Sequence, residues 1–153
     1  MLRNYVEVEE GRVAISAAPQ TAADVNWMVS QGIQCLFSLH PVGDGARARL
    51  AELDLLWVEC LVSDFSRELP PNFRQTVIAA VECISWKPKV LIHCQGGGGR
   101  SYSFYALTLL ERHLPMAPAL SQVEKEPQRA FVHGYAAALC YDGEEPGGSP
   151  DAT

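Results

Sequence analysis

The chain has 153 residues, 48% hydrophobic and 20% charged, with 12 Lys and Arg against 18 Asp and Glu for a net charge of −6. That length suits one domain with a substantial core. The acidic balance argues against a nucleic-acid partner, which needs clustered cations, and no apolar run reaches the ~20 residues of a membrane span. The start, MLRNYVEVEEGR, lacks the apolar stretch of a secretory signal. Cysteines at 35, 60, 83, 94 and 140 are odd in number and form no CxxC pair. Neither a disulfide framework nor a zinc ribbon fits, and the expectation is a cytoplasmic protein with mostly buried, reduced thiols.

In chain order, Tyr5–Val8 and Arg12–Ser16 are short strand candidates. Thr21 opens a helix, with Asp24 completing a capping-box pattern, Val25, Met28 and Val29 as its apolar face, and Gly32 as its stop. Ile33–Leu39 reads as an apolar strand, Ala46–Asp54 as a short helix, and Trp57–Val62 as another strand. Pro71–Trp86 is helical, with Phe73, Val77, Val81 and Ile84 on one stripe. Lys89–His93 is a strand. Ser101–Leu114 is a helix with Phe104, Leu107, Leu110 and Leu114 as core positions. A last helix starts near Pro127, with Phe131, Tyr135 and Leu139 at fourfold spacing. From Asp142 the tail DGEEPGGSPDAT is polar and rich in Gly and Pro, so residues 3–141 are expected to be the domain and 142–153 a disordered end. Trp27, Trp57 and Trp86 stand in apolar contexts and are assigned to the core.

Apolar strands alternating with helices predict an α/β fold, its central sheet mostly parallel and covered on both faces. Ligand sites in such sheets lie beyond the carboxyl ends of the strands. After KVLIH comes Cys94-Gln95-Gly96-Gly97-Gly98-Gly99-Arg100-Ser101, and then a helix. The glycines let the backbone curl and aim successive N–H groups inward, and the helix N-terminus that follows favours an anion. Arg100 can grip two phosphate oxygens with its planar fork. The same amides and cation would stabilise a Cys94 thiolate, the form that attacks phosphorus. Ser101 can donate a hydrogen bond to the sulfur, and His93 can organise the loop through its ring nitrogens. The phosphate-binding residues are therefore Gln95, Gly96, Gly97, Gly98, Gly99 and Arg100. A Walker loop is excluded because Arg100 stands where Lys is required, and a dinucleotide fingerprint because position 101 is Ser.

His-Cys-x5-Arg-Ser between a strand and a helix resembles the signature of the cysteine-dependent protein tyrosine phosphatase superfamily, and the chain looks most like its small, atypical dual-specificity members. The similarity runs from about Val13 to Leu139 and is most specific in the loop. It implies an α/β phosphatase that works without metal or cofactor, on phosphotyrosine, phosphoserine or phosphothreonine in proteins or on small aryl phosphates. It also implies a general-acid Asp about 30 residues before the Cys. Asp64, after the strand WVECLV, is 30 residues before Cys94. Asp54 and Glu59 are fallback acids, the first on a helix and the second inside a strand.

The chain departs from that pattern in carrying four consecutive glycines, in the short stretch between Val123 and Phe131, and in Ser101 for the commoner Thr. The short stretch leaves Gln122 and Gln128 as candidates to orient water and keeps Lys125 and Arg129. The loop lacks the lysines of lipid-directed relatives, and Arg47, Arg49 and Arg67 are read as solvated. His40 and His133 have no ligand-spaced partners, His113 near a helix end is read as serving the helix dipole, and Cys35 and Cys60 are read as structural thiols. The alternatives are a catalytically weak phosphate-recognition module and a rhodanese-like sulfur or arsenate enzyme.

Overall fold

The runs VAIS, CLFS and VLIH are buried along their whole length, the pattern of strands covered by helices on both sides. The computed structural model of the chain describes residues 1–62, 71–86, 89–123 and 125–144, the side chains of 139–144 excepted. Its strands are β1 (Val6–Glu9), β2 (Val13–Ser16), β3 (Cys35–Ser38), β4 (Leu56–Glu59) and β5 (Val90–His93), arranged β1-β2-β5-β3-β4. β1 is antiparallel to β2, and every other pair is parallel. The helices are α1 (Ala22–Ser30), α2 (Asp44–Ala51), α3 (Phe73–Trp86), α4 (Gly99–Glu111), α5 (Ala117–Leu120) and α6 (Glu126–Glu144). This is the mostly parallel α/β architecture expected from the sequence.

Period-two alternation sends each strand's side chains to opposite faces. Val13, Ile15, Phe37, Val90 and Ile92 pack with α3, α4 and α6 on one face, through Phe73, Val77, Phe104, Leu107 and Tyr135. Ala14, Leu36 and Leu91 pack on the other, against Val25 and Met28 of α1 and Ala46 and Leu50 of α2. Each large buried side chain contributes about 1.5–3 kcal/mol relative to exposure. Glu9 ties the edge strand to α4 by accepting from Arg112 Nη1 (2.6 Å) and the Tyr105 hydroxyl (2.7 Å). The Arg112 guanidinium holds the Glu9 carboxyl below the usual range, despite partial burial.

The capping box of α1 forms as its sequence predicts: Thr21 Oγ1 accepts from the Asp24 amide at 3.1 Å, and the Asp24 carboxylate accepts from the Thr21 amide at 3.2 Å. Several expectations fail for geometric reasons. Trp86 is 82% exposed rather than core, because it lies two residues past the buried Ile84 and so points to the opposite side of α3. Val29 is exposed on α1, where Val25 and Met28 make the buried face. Leu114 is exposed because α4 ends at Glu111 and the chain turns at His113, where φ is +59°. Trp27 and Trp57 are only half-buried. The short α5 was not expected from the sequence, and α6 runs through Glu144, past the expected domain end at Tyr141.

Parallel register fixes where the site forms. Ser16 and Ser38 both align with His93, and Glu59 aligns with Ser38, so β2, β3, β4 and β5 end together at one edge. The loops that follow them meet there.

Candidate active site

Cys94 stands at the end of β5, 3% exposed, with the loop 95–98 leading into α4. Neighbouring segments hold that loop. The Ala18 amide donates to the Gln95 carbonyl at 3.1 Å, and Asn4 Nδ2 donates to the Gly96 carbonyl at 2.7 Å. Gly97 has φ +78°, and a Cβ there would lie 2.6 Å from the Ser16 carbonyl carbon. Only glycine meets both conditions. A Cβ on Gly99 would lie 1.7 Å from Gln128 Oε1, whereas Gly96 and Gly98 face open space. The glycine run thus contains two positions fixed by close packing and two that are not.

The thiol feels two opposed effects. Burial disfavours the thiolate, but hydrogen bonding from the Ser101 hydroxyl and from the Ser101, Gly97 and Gly98 amides outweighs it. The Cys94 pKa is held below its ordinary value. Ser101 Oγ is buried, and in the resting geometry it meets no partner at full hydrogen-bond quality. The Cys94 sulfur is the acceptor available to this hydroxyl, and more strongly so as thiolate.

His93 is fully buried and linked on both sides. Its Nδ1 lies 3.0 Å from the Cys94 carbonyl, which can only accept, so Nδ1 carries the proton. Nε2 is then the acceptor for the Ser38 hydroxyl at 2.6 Å, and Ser38 Oγ in turn accepts from Trp57 Nε1 at 2.9 Å. Burial pushes the His93 pKa down to about 4, so the ring is neutral near pH 7. The link from His93 through Ser38 to Trp57 was not read from the sequence, because it depends on strand register rather than spacing.

Arg100 Nη1 donates to the Val62 carbonyl at 2.8 Å and lines a cavity of about 500 Å³. The same cavity is lined by Arg3, Cys94, Gln95, Gly96, Gly98, Gly99, Gln122, Lys125 and Gln128. Gln122, Gln128 and Lys125 thus reach the site as their sequence positions allowed. Arg3 was not foreseen, and no local signal could have found it.

Asp64 and Arg67 lie outside the described residues. Of the fallback acids, Asp54 lines a different cavity with Val29, Ile33 and Leu55, and Glu59 is engaged by Arg47 at 2.9 Å. Arg47 lies over the Trp57 ring, and Arg49 pairs with Glu52, so neither lines the Cys94 cavity. Cys35 aligns with Val90, at the opposite end of the sheet from Cys94, too far for a disulfide. Among the described residues no cluster of three His, Cys, Asp or Glu could hold a metal ion, and no helix is long and apolar enough to cross a membrane.

No family model matches the chain, and no curated protein matches it in sequence. Its fold does match, to 134 solved chains. Kinase associated phosphatase (KAP), with its catalytic cysteine replaced by serine, is 18% identical over 84% of this chain and 87% of its own, with a TM-score of 0.70. Tk-PTP in its active form is 22% identical, covering 82% of this chain and 91% of its own, at a TM-score of 0.67. PTPMT1 in complex with PI(5)P is 13% identical, covering 92% and 99%, at 0.69. The fold is therefore that of the dual-specificity and tyrosine phosphatases.

Proposed function

We propose that this protein is a protein tyrosine or dual-specificity phosphatase that hydrolyses phosphate monoesters through a phosphocysteine intermediate. The observation that carries the reading is the depressed pKa of the Cys94 thiol, at the floor of a loop whose Gly97, Gly98 and Ser101 amides face it. Cys94 Sγ attacks phosphorus in line, the bond to the leaving oxygen breaks, and Asp64 gives that oxygen a proton. Water then attacks phosphorus, the S–P bond breaks, and the water proton passes to Asp64 as inorganic phosphate leaves. Arg100 and the loop amides stabilise the equatorial oxygens. Ser101 donates to the departing thiolate, and His93 orients the Cys94 carbonyl.

Asp64 is assigned as the acid because it follows Val62, whose carbonyl touches Arg100. Aryl phosphates, phosphotyrosine among them, are the preferred substrates, and phosphoserine or phosphothreonine follow if the pocket is shallow. The odd cysteine count without a CxxC pair is what favours a reducing compartment, the cytoplasm.

The test is turnover of a generic aryl phosphate in reducing buffer without metal. Wild type should release phosphate and Cys94→Ser should not, while the variant still binds a phosphopeptide. Binding without turnover by wild type would make the protein a phosphate-recognition module instead. Sulfur transfer from thiosulfate without phosphatase activity would favour a rhodanese-like enzyme.

A further inference from the structure

In a chain of charge −6, the wall around Cys94 carries three cations, Arg3, Arg100 and Lys125, and no carboxylate among its described residues. Arg47, Arg49, Arg74, Arg112 and Arg129 each pair with a glutamate. Arg3 pairs with no carboxylate among the described residues. It is exposed, yet its backbone is anchored. The Arg3 carbonyl accepts from the Ala17 amide at 2.9 Å, Leu2 before it is buried, and Asn4 after it is bonded to Gly96. Asn4 adopts φ +58°, a left-handed turn that Asn tolerates, and this turn sets the strap against the start of the loop. Lys125 stands by the other end of the loop, where its carbonyl accepts from the amide of Gln128, the residue packed on Gly99.

From these positions we infer that Arg3 and Lys125 form a specificity rim for acidic phosphopeptides, with carboxylates or a second phosphate on both sides of the scissile one. The inference rests on the phosphatase reading above. Arg100 and the loop amides already serve the phosphate that reacts. Cations beside both ends of the loop match an extended acidic chain passing across the bowl. Exposed pairs of this kind are individually weak and screened by salt, so the rim sets preference rather than chemistry.

The experiment compares kcat/KM on a phosphotyrosine peptide with acidic flanks, the same peptide with neutral flanks, and a soluble inositol bisphosphate. Wild type should prefer the acidic peptide. Arg3→Gln should lower the acidic-to-neutral ratio about threefold through KM, and Arg3→Gln with Lys125→Gln roughly tenfold. Arg3→Lys should restore most of the ratio, and added salt should erase it. Equal ratios in wild type and the double variant overturn the rim, as does an Arg3-dependent preference for the inositol bisphosphate over every peptide. Failure of wild type to hydrolyse any of the three, or a simple aryl phosphate, would instead sink the phosphatase reading.

Discussion

The guanidinium of Arg100 and the carbonyl of Val62 are joined by a hydrogen bond of 2.8 Å. It connects the last residue of the Cys-x5-Arg loop to the end of the segment that follows β4. The Cys94–Arg100 loop and the chain end at Val62 are thereby held to one another by the Arg100 side chain.

From that connection, Asp64→Asn should slow hydrolysis in proportion to the basicity of the leaving group. The loss should be about 10²–10³-fold for an alkyl phosphate, within the usual range for general acid catalysis. For a nitrophenyl ester it should be less than about tenfold, since that oxygen leaves without a proton. A plot of log kcat/KM against leaving-group pKa measures the difference. Equal losses for the two would make Asp64 a structural residue.

Ser101→Ala separates activity from stability. The hydroxyl is buried and poorly satisfied in the resting protein, so its removal should leave stability within about 1 kcal/mol of wild type, as read by urea unfolding. The thiolate, however, loses a donor, and the Cys94 pKa should rise. The rate of iodoacetamide alkylation against pH reports that rise directly, with its midpoint displaced upward. A midpoint that stays in place would remove Ser101 from the thiolate's partners.

The four glycines should respond differently to alanine. Gly97→Ala meets both a positive φ and the Ser16 backbone, so it should cost more than about 1 kcal/mol and strongly impair activity. Gly96→Ala meets open space and should hold or raise stability by about 0.4–1 kcal/mol, by restricting the unfolded chain. Thermal unfolding of the two variants checks the contrast. Similar destabilisation of both would mean that loop curvature depends on more than the contacts described.

His93 predicts a pH dependence of stability. Its folded-state pKa is about 4, and an unperturbed His titrates near 6.5. Between those values the unfolded chain binds a proton that the folded one refuses. Its contribution is therefore fully present above about pH 6.5 and is lost as pH falls toward 4, by up to about 3 kcal/mol. His40, also depressed by burial, adds to the same window. Glu7 and Glu9, whose pKa values are lowered, act below it. Urea unfolding between pH 7 and pH 4.5 should show the decline in wild type and a shallower one in His93→Gln. Parallel curves would contradict the assignment.

What could be read in advance was whatever is encoded over a few residues. The capping box of Thr21 and Asp24 spans four positions. The apolar runs of β2, β3 and β5 state their own burial. The spacing of Cys94, Arg100 and Ser101 between a strand and a helix defines the bowl, because a strand end, a glycine turn and a helix N-terminus are contiguous in the chain. Contacts made across the sheet were beyond such reading. Asn4 lies 92 positions from Gly96, and Ser38 is 55 from His93. Gly97 is constrained by Ser16, Gly99 by Gln128, and Trp86 is turned outward by the phase of its helix. The chain's covalent spacing sets local hydrogen bonds and periodicity, whereas strand order and register decide which distant side chains share a wall. That is why the bowl was legible in the sequence and Arg3 at its rim was not.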